Sequence, residues 1–278
     1  MEWYLPVIWA GLIGTAVAMY VILDGFDLGI GILFPFAADD RQRDQMMATV
    51  APFWDGNETW LILGGGGLLV AFPRAYAVIM PALYLPVIVM LLALVFRGVA
   101  FEFRTVSRSK TWLDVAFTAG STLAAFAQGV MLGGLIQGVK VANGAYAGGP
   151  LDWATPFAFL CGFAVIAGYG LLGATWLMLK TEGPVAARAR GQAKILLLAV
   201  LVFMGAVSLW TPLAEPRIAA RWFSTPNIYY LWPVPAVTAL VAYTCWRWIG
   251  KGYEAPPLLA TIALFLLGYL GLVISNFP

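Results

Sequence analysis

The chain has 278 residues, 62% of them hydrophobic and only 11% charged, where a soluble domain of this size carries about 25% charged residues. That balance excludes a soluble enzyme, and a formal net charge of +2 gives no electrostatic case for nucleic acid. Histidine is absent, which removes the commonest haem and metal ligand and the side chain that most often titrates near neutral pH.

The first apolar run spans 21 uncharged residues, Trp3 to Leu23, and continues through Asp24-Gly25-Phe26-Asp27-Leu28-Gly29-Ile30-Gly31 to Phe36. An Asp near the centre of a membrane helix costs about 2.5–3.5 kcal/mol on insertion scales, so two on one helix face protein rather than lipid. At i and i+3, Asp24 and Asp27 share one helix face. Gly25 and Gly29 form a G-x-x-x-G step that admits a second backbone. No basic n-region precedes the run, so no cleavable signal peptide is expected.

Runs of about 20 apolar residues predict eight spans, at 5–34, 53–72, 77–97, 112–137, 156–179, 195–213, 229–248 and 257–277. The predicted fold is all-α, a polytopic transmembrane helix bundle of eight helices that could divide into two four-helix bundles. Residues 1–278 form a single integral membrane domain, without a soluble one. With loops alternating sides, Arg74, Lys140, Arg217 and Arg221 fall on one side and the other twelve of sixteen basic residues on the opposite one. The positive-inside rule then places the N-terminus outside.

The second span opens on Trp54-Asp55-Gly56-Asn57-Glu58-Thr59-Trp60, which repeats two carboxylates at i and i+3. The loop after the third span is read as Phe96-Arg97-Gly98-Val99-Ala100-Phe101-Glu102-Phe103-Arg104. The predicted topology gathers Asp24, Asp27, Asp55, Glu58 and Glu102 in one leaflet, with Arg97 and Arg104 beside them. Carboxylates held close in low dielectric share and pass protons, so the cluster reads as a proton path. A structural reading competes. Asp55 and Glu58 near a helix N-terminus are suited to capping it, and the arginines to fixing helix packing. Capping does not account for Asp24 and Asp27, which lie toward a helix C-terminus. Trp54 and Trp60 read as interface anchors, Gln128 and Gln137 as interhelical hydrogen-bond partners, and Cys161 and Cys245 as packing residues. The chain shows no nucleophile–base pair, phosphate loop or metal constellation.

These motifs, with Gly173-Ala174-Thr175-Trp176-Leu177-Met178-Leu179-Lys180-Thr181-Glu182-Gly183, resemble subunit II of cytochrome bd-type quinol oxidases. The resemblance covers essentially the whole chain. It implies a heterodimer in a bacterial inner membrane, in which a separate subunit I carries two haem b and one haem d, oxidises quinol and reduces oxygen to water. Subunit II itself is expected to hold no cofactor and no metal, and to have no catalytic residue. Asp24, Asp55 and Glu102 would belong to its proton path, with Arg97 and Arg104 as neighbours. A small single-helix subunit, lipid and quinone are further partners that the resemblance leaves room for. Two features depart from it. Val106 stands where some relatives have Lys, and the family continues past Asn276-Phe277-Pro278 into a Pro-rich stretch and a ninth helix. From the residues alone, a proton-coupled transporter and a purely structural subunit stay open beside this reading.

Overall fold

The computed structural model of the chain describes residues 4–276. Trp3, where the first uncharged run begins, and Phe277 and Pro278 lie outside the described residues, as does the expected continuation beyond them. Helix α1 (Leu5–Leu33) ends in a single 3-10 turn, Phe34–Phe36, and is followed by the short α2 (Asp40–Ala48). Asp39 caps α2, accepting from the Gln42 amide at 2.9 Å, while Gln42 Oε1 accepts from the Ala38 amide; this reciprocal arrangement pins the helix start. Helices α3 (Trp54–Ala71), α4 (Pro73–Ala82), α5 (Tyr84–Arg104) and α6 (Thr111–Gln137) follow. A small hairpin pairs β1 (Val141–Ala142) with β2 (Ala145–Tyr146). The second half comprises α7 (Pro156–Lys180), α8 (Gly183–Ala214), α9 (Pro216–Phe223), α10 (Asn227–Leu231), α11 (Pro233–Lys251) and α12 (Ala255–Asn276).

Among the described residues seven helical stretches are long and apolar enough to cross a bilayer, which corrects the expected eight. The stretch that drops out is α3. It has only 18 residues, carries Asp55 and Glu58 in its first two turns, and spends four positions on Gly64–Gly67. It still lies antiparallel along α1, with Asn57 against Asp27, Gly64 against Val17 and Gly67 against Ile13.

A second correction concerns the third span, expected at 77–97 and found at Tyr84–Arg104. Pro73 opens α4 and Pro81 lies inside it. Leu83 (φ −114°, ψ 19°) leaves the helical region and separates α4 from α5. Proline withholds an amide hydrogen and clashes with the preceding turn, so a continuous apolar run here breaks into two helices. The break moves Phe96–Arg104 out of the expected loop and into the last turns of α5.

Two groups of four helices emerge from the packing. In the first, α3 and α6 lie on α1 and α5 lies on α6, with α3 meeting α5 through side chains. In the second, α7, α8, α11 and α12 close a ring. Helix α7 joins the groups, packing on α1 and α6 as well as on α8 and α12. A Cβ at Gly29 would collide with the Tyr169 carbonyl and the Gly173 amide, and one at Gly173 with the Gly29 backbone. Two backbones can approach this closely only without side chains between them.

Candidate proton-conducting site

Asp24 and Asp27 are 0% and 2% exposed on the face of α1 that meets α3 and α5. Arg97, 2% exposed, reaches in from α5. Its Nη1 donates to Asp24 Oδ1 at 2.7 Å and its Nη2 to Glu58 Oε1 on α3 at 2.8 Å. Asn57, one residue before Glu58, donates from Nδ2 to Asp27 Oδ2 at 2.8 Å and to the Leu23 carbonyl at 3.4 Å. Asp24 Oδ2 and Asp27 Oδ1 are buried and accept no hydrogen bond. Three helices thus hold three carboxylates around one guanidinium, and Trp54 lies beside that guanidinium, its ring centroid 6.0 Å away. Trp54 also packs on Phe101 at 5.1 Å.

The remaining residues singled out from sequence lie elsewhere. Asp55 and Glu102 are exposed and join no ion pair among the described residues. Helix α3 is preceded by Phe53 at its N-cap, without a side-chain capping bond, and Glu58 faces Arg97 instead of the helix end. Trp60 is half-buried on α3. Gly25 packs under the Tyr169 ring and Gly29 against its carbonyl.

Arg104 is 1% exposed but serves a second network at the end of the bundle. It donates to Asp114 at 2.5 Å and to Asp44, lies 3.6 Å from Asp40, and sits over the Phe34 ring. Lys110 adds a bond to Asp44 at 3.2 Å. Partial burial opposes the Asp44 charge, yet the hydrogen bonds from Arg104 and Lys110 hold its carboxyl below the usual range. Sequence reasoning missed Asp44 and Asp114, which look like solvated loop and helix-end acids. It also did not pick out Tyr20 and Tyr169. The Tyr169 hydroxyl donates to Gln128 Oε1 at 2.5 Å, and Gln128 Nε2 donates to the Tyr20 hydroxyl at 2.9 Å. One signal was readable: Tyr20, Asp24 and Asp27 fall at i, i+4 and i+7 on one helix face.

A family model described as cytochrome bd terminal oxidase subunit II matches residues 5–278. The chain belongs to this family. It is 30% identical over 277 residues to a probable cytochrome oxidase subunit 2 of Haemophilus influenzae, an alignment covering 95% of this chain and 72% of that protein. It is 33% identical over 212 residues to the cytochrome bd-I ubiquinol oxidase subunit 2 of Escherichia coli K12, covering 73% of this chain but only 56% of the relative. A Bacillus subtilis cytochrome bd ubiquinol oxidase subunit 2 is 32% identical, with 61% of its length covered. The alignments thus span little more than half of the latter two relatives. The solved structure of bd oxidase from Geobacillus thermodenitrificans shares the fold, with a TM-score of 0.75 at 18% identity over 99% of this chain and 85% of that one.

Among the described residues no group of three or more His, Cys, Asp or Glu is arranged to hold a metal ion. Cys161 and Cys245 are free thiols, 3% and 0% exposed, each set in helix packing.

Proposed function

We propose that this chain is the haem-free second subunit of a bd-type quinol:oxygen oxidoreductase. It would support a haem-bearing subunit I and supply carboxylates for proton uptake. The observation that carries the reading is the buried cluster of Asp24, Asp27 and Glu58 around Arg97 in a chain of this family. Three carboxylates face one cation in low dielectric, and a bound proton offsets that excess charge. Such a cluster can take up and release a proton without moving its helices, because its donors are already fixed.

In this reading Glu58, the most solvent-accessible of the three, receives protons from the side where Asp55 and Glu102 are exposed. Asp24 is the inner carboxylate, and Arg97 links the two. Asn57 holds Asp27 as a reserve acceptor beside them. The chain lies in a bacterial inner membrane with its N-terminus outside, a reading supported by the twelve-to-four division of basic residues once α3, antiparallel along α1, is counted as returning the chain to the other side. The complex takes protons from inside for reduction of oxygen to water, while the quinol oxidised in subunit I releases its protons outside. Haem is assigned to the partner because this chain has no His and its thiols are committed to packing.

The test begins with the protein purified together with the products of its neighbouring genes. Reduced-minus-oxidised bands of b-type and d-type haems are expected. Asp24→Asn is then expected to lower turnover per haem while leaving haem content intact. A colourless, well-assembled preparation would redirect the reading to a proton-coupled transporter. Normal turnover in assembled Asp24→Asn would leave the cluster a structural role.

A further inference from the structure

The buried polar line on α1 does not stop at Asp24. Tyr20 lies one turn earlier on the same face, 4% exposed, and its hydroxyl accepts from Gln128 Nε2 at 2.9 Å. We propose that Tyr169, Gln128 and Tyr20 form a directional donor chain whose last proton is aimed at Asp24 Oδ2, making them positioning residues for that carboxylate. The inference rests on the proton-path reading above.

The direction follows from counting donors. The Tyr169 hydroxyl has one proton and gives it to Gln128 Oε1. The amide then presents Nε2–H to the Tyr20 oxygen, occupying a lone pair and leaving the Tyr20 proton without a use on that side. One turn away, Asp24 Oδ1 is taken by Arg97 while Oδ2 accepts nothing. A buried carboxylate oxygen with no donor is costly, and the Tyr20 hydroxyl is the donor placed to relieve it. The opposite amide orientation would draw the Tyr20 proton to Gln128 and leave Asp24 Oδ2 bare.

The donors around Asp24 are already committed, and only Asp27 Oδ1, an acceptor unless protonated, is unoccupied beside it. Asp27 on its own helix binds Asn57, Glu58 on α3 binds Arg97 on α5, and Tyr169 on α7 binds Gln128 on α6. The same polarity makes the chain a stop. Gln128 presents a donor to Tyr20, so a proton arriving at Asp24 has no acceptor on that route and does not pass on toward Tyr169. Asp24 is therefore held at one end of the path, and its proton leaves sideways.

The experiment uses the assembled, haem-loaded complex with Tyr20→Phe and Gln128→Leu, each compared with Asp24→Asn. Two quantities are read: the rate of proton uptake during turnover with oxygen, and the infrared difference band of the Asp24 carboxyl, assigned by its loss in Asp24→Asn. Both Tyr20→Phe and Gln128→Leu are expected to shift that band and to slow uptake about tenfold, the scale of one hydrogen bond to a charged group. A merely structural hydroxyl would leave the band in place. If Asp24→Asn slows uptake while both variants keep the wild-type band and rate, the donor chain is wrong and the path reading stands. If Asp24→Asn itself turns over normally, the path reading fails and this inference with it. Should one variant not assemble, the other decides.

Discussion

Arg97 is the residue on which the cluster's charge balance turns. It is fully enclosed, and it answers carboxylates from two other helices. Removing one partner of a buried pair strands the charges left behind, which typically costs about 3–5 kcal/mol. Arg97→Ala is therefore expected to lower the thermal midpoint of the detergent-solubilised complex sharply, with haem lost from the same preparations. Asp55→Asn, at an exposed position without an ion pair, should stay within about 0.5 kcal/mol of the parent. Equal midpoints for the two variants would mean that the cluster does not hold the helices together. At this scale the sequence was partly readable. Asp24, Asp27, Glu58 and Arg97 betray themselves because a charge in an apolar run has no inexpensive explanation. Tyr20, Gln128 and Tyr169 carry no such penalty, and their mutual bonds join positions 108 and 41 residues apart.

For the helices, the contact between α1 and α7 does for packing what Arg97 does for charge. Gly29 and Gly173 bring the two backbones together, and no side chain could shift far enough to admit a methyl group, because what it meets is backbone. Overpacking of this kind costs about 1–3 kcal/mol. Gly29→Ala should thus destabilise the complex and reduce the yield of assembled protein. Gly65→Ala on α3, where a Cβ meets nothing within 4 Å in this chain, controls for a glycine's effect on helix propensity. A Gly29→Ala complex as stable as the parent would show that α7 yields. The G-x-x-x-G spacing made this contact foreseeable. The break between α4 and α5 was signalled only by Pro81, which hydropathy passes over because it sees an unbroken apolar run. Its consequence is large: Arg97 lies about two turns inside α5, not in a loop, and so reaches Asp24.

Across the whole molecule, α2 ties the two helix groups together at the end where α1 and α5 finish. Its Asp44 pairs with Arg104 of α5, beside Asp114 of α6, while Gln42 accepts from Arg188 of α8 at 2.5 Å. Met46 and Met47 anchor the same helix in the shared core. The arginines and aspartates of this network come from four segments of the chain, so pairings among them could not be read from a sequence that shows only local charge. The Asp44 carboxyl, held below its ordinary range chiefly against burial by Arg104 and Lys110, contributes stability that is complete above its unfolded value of about 3.9 and is lost as pH falls through the lower folded value. Asp44 is half exposed, so the contribution is modest and weakens as salt screens it. Protection of the α2 amides against hydrogen exchange in the intact complex, taken relative to the intrinsic exchange rate at each pH, should accordingly fall when pH is brought below about 3.9 or when salt is raised at neutral pH. In Asp44→Asn, α2 should already exchange faster at neutral pH, and the dependence on salt should shrink. Asn cannot lose a proton, so the variant should also lack the Asp44 share of the acid step. If α2 exchanges at the parent rate in Asp44→Asn under every condition, then Gln42, Met46 and Met47 hold it alone, and the ionic network does not couple the two halves.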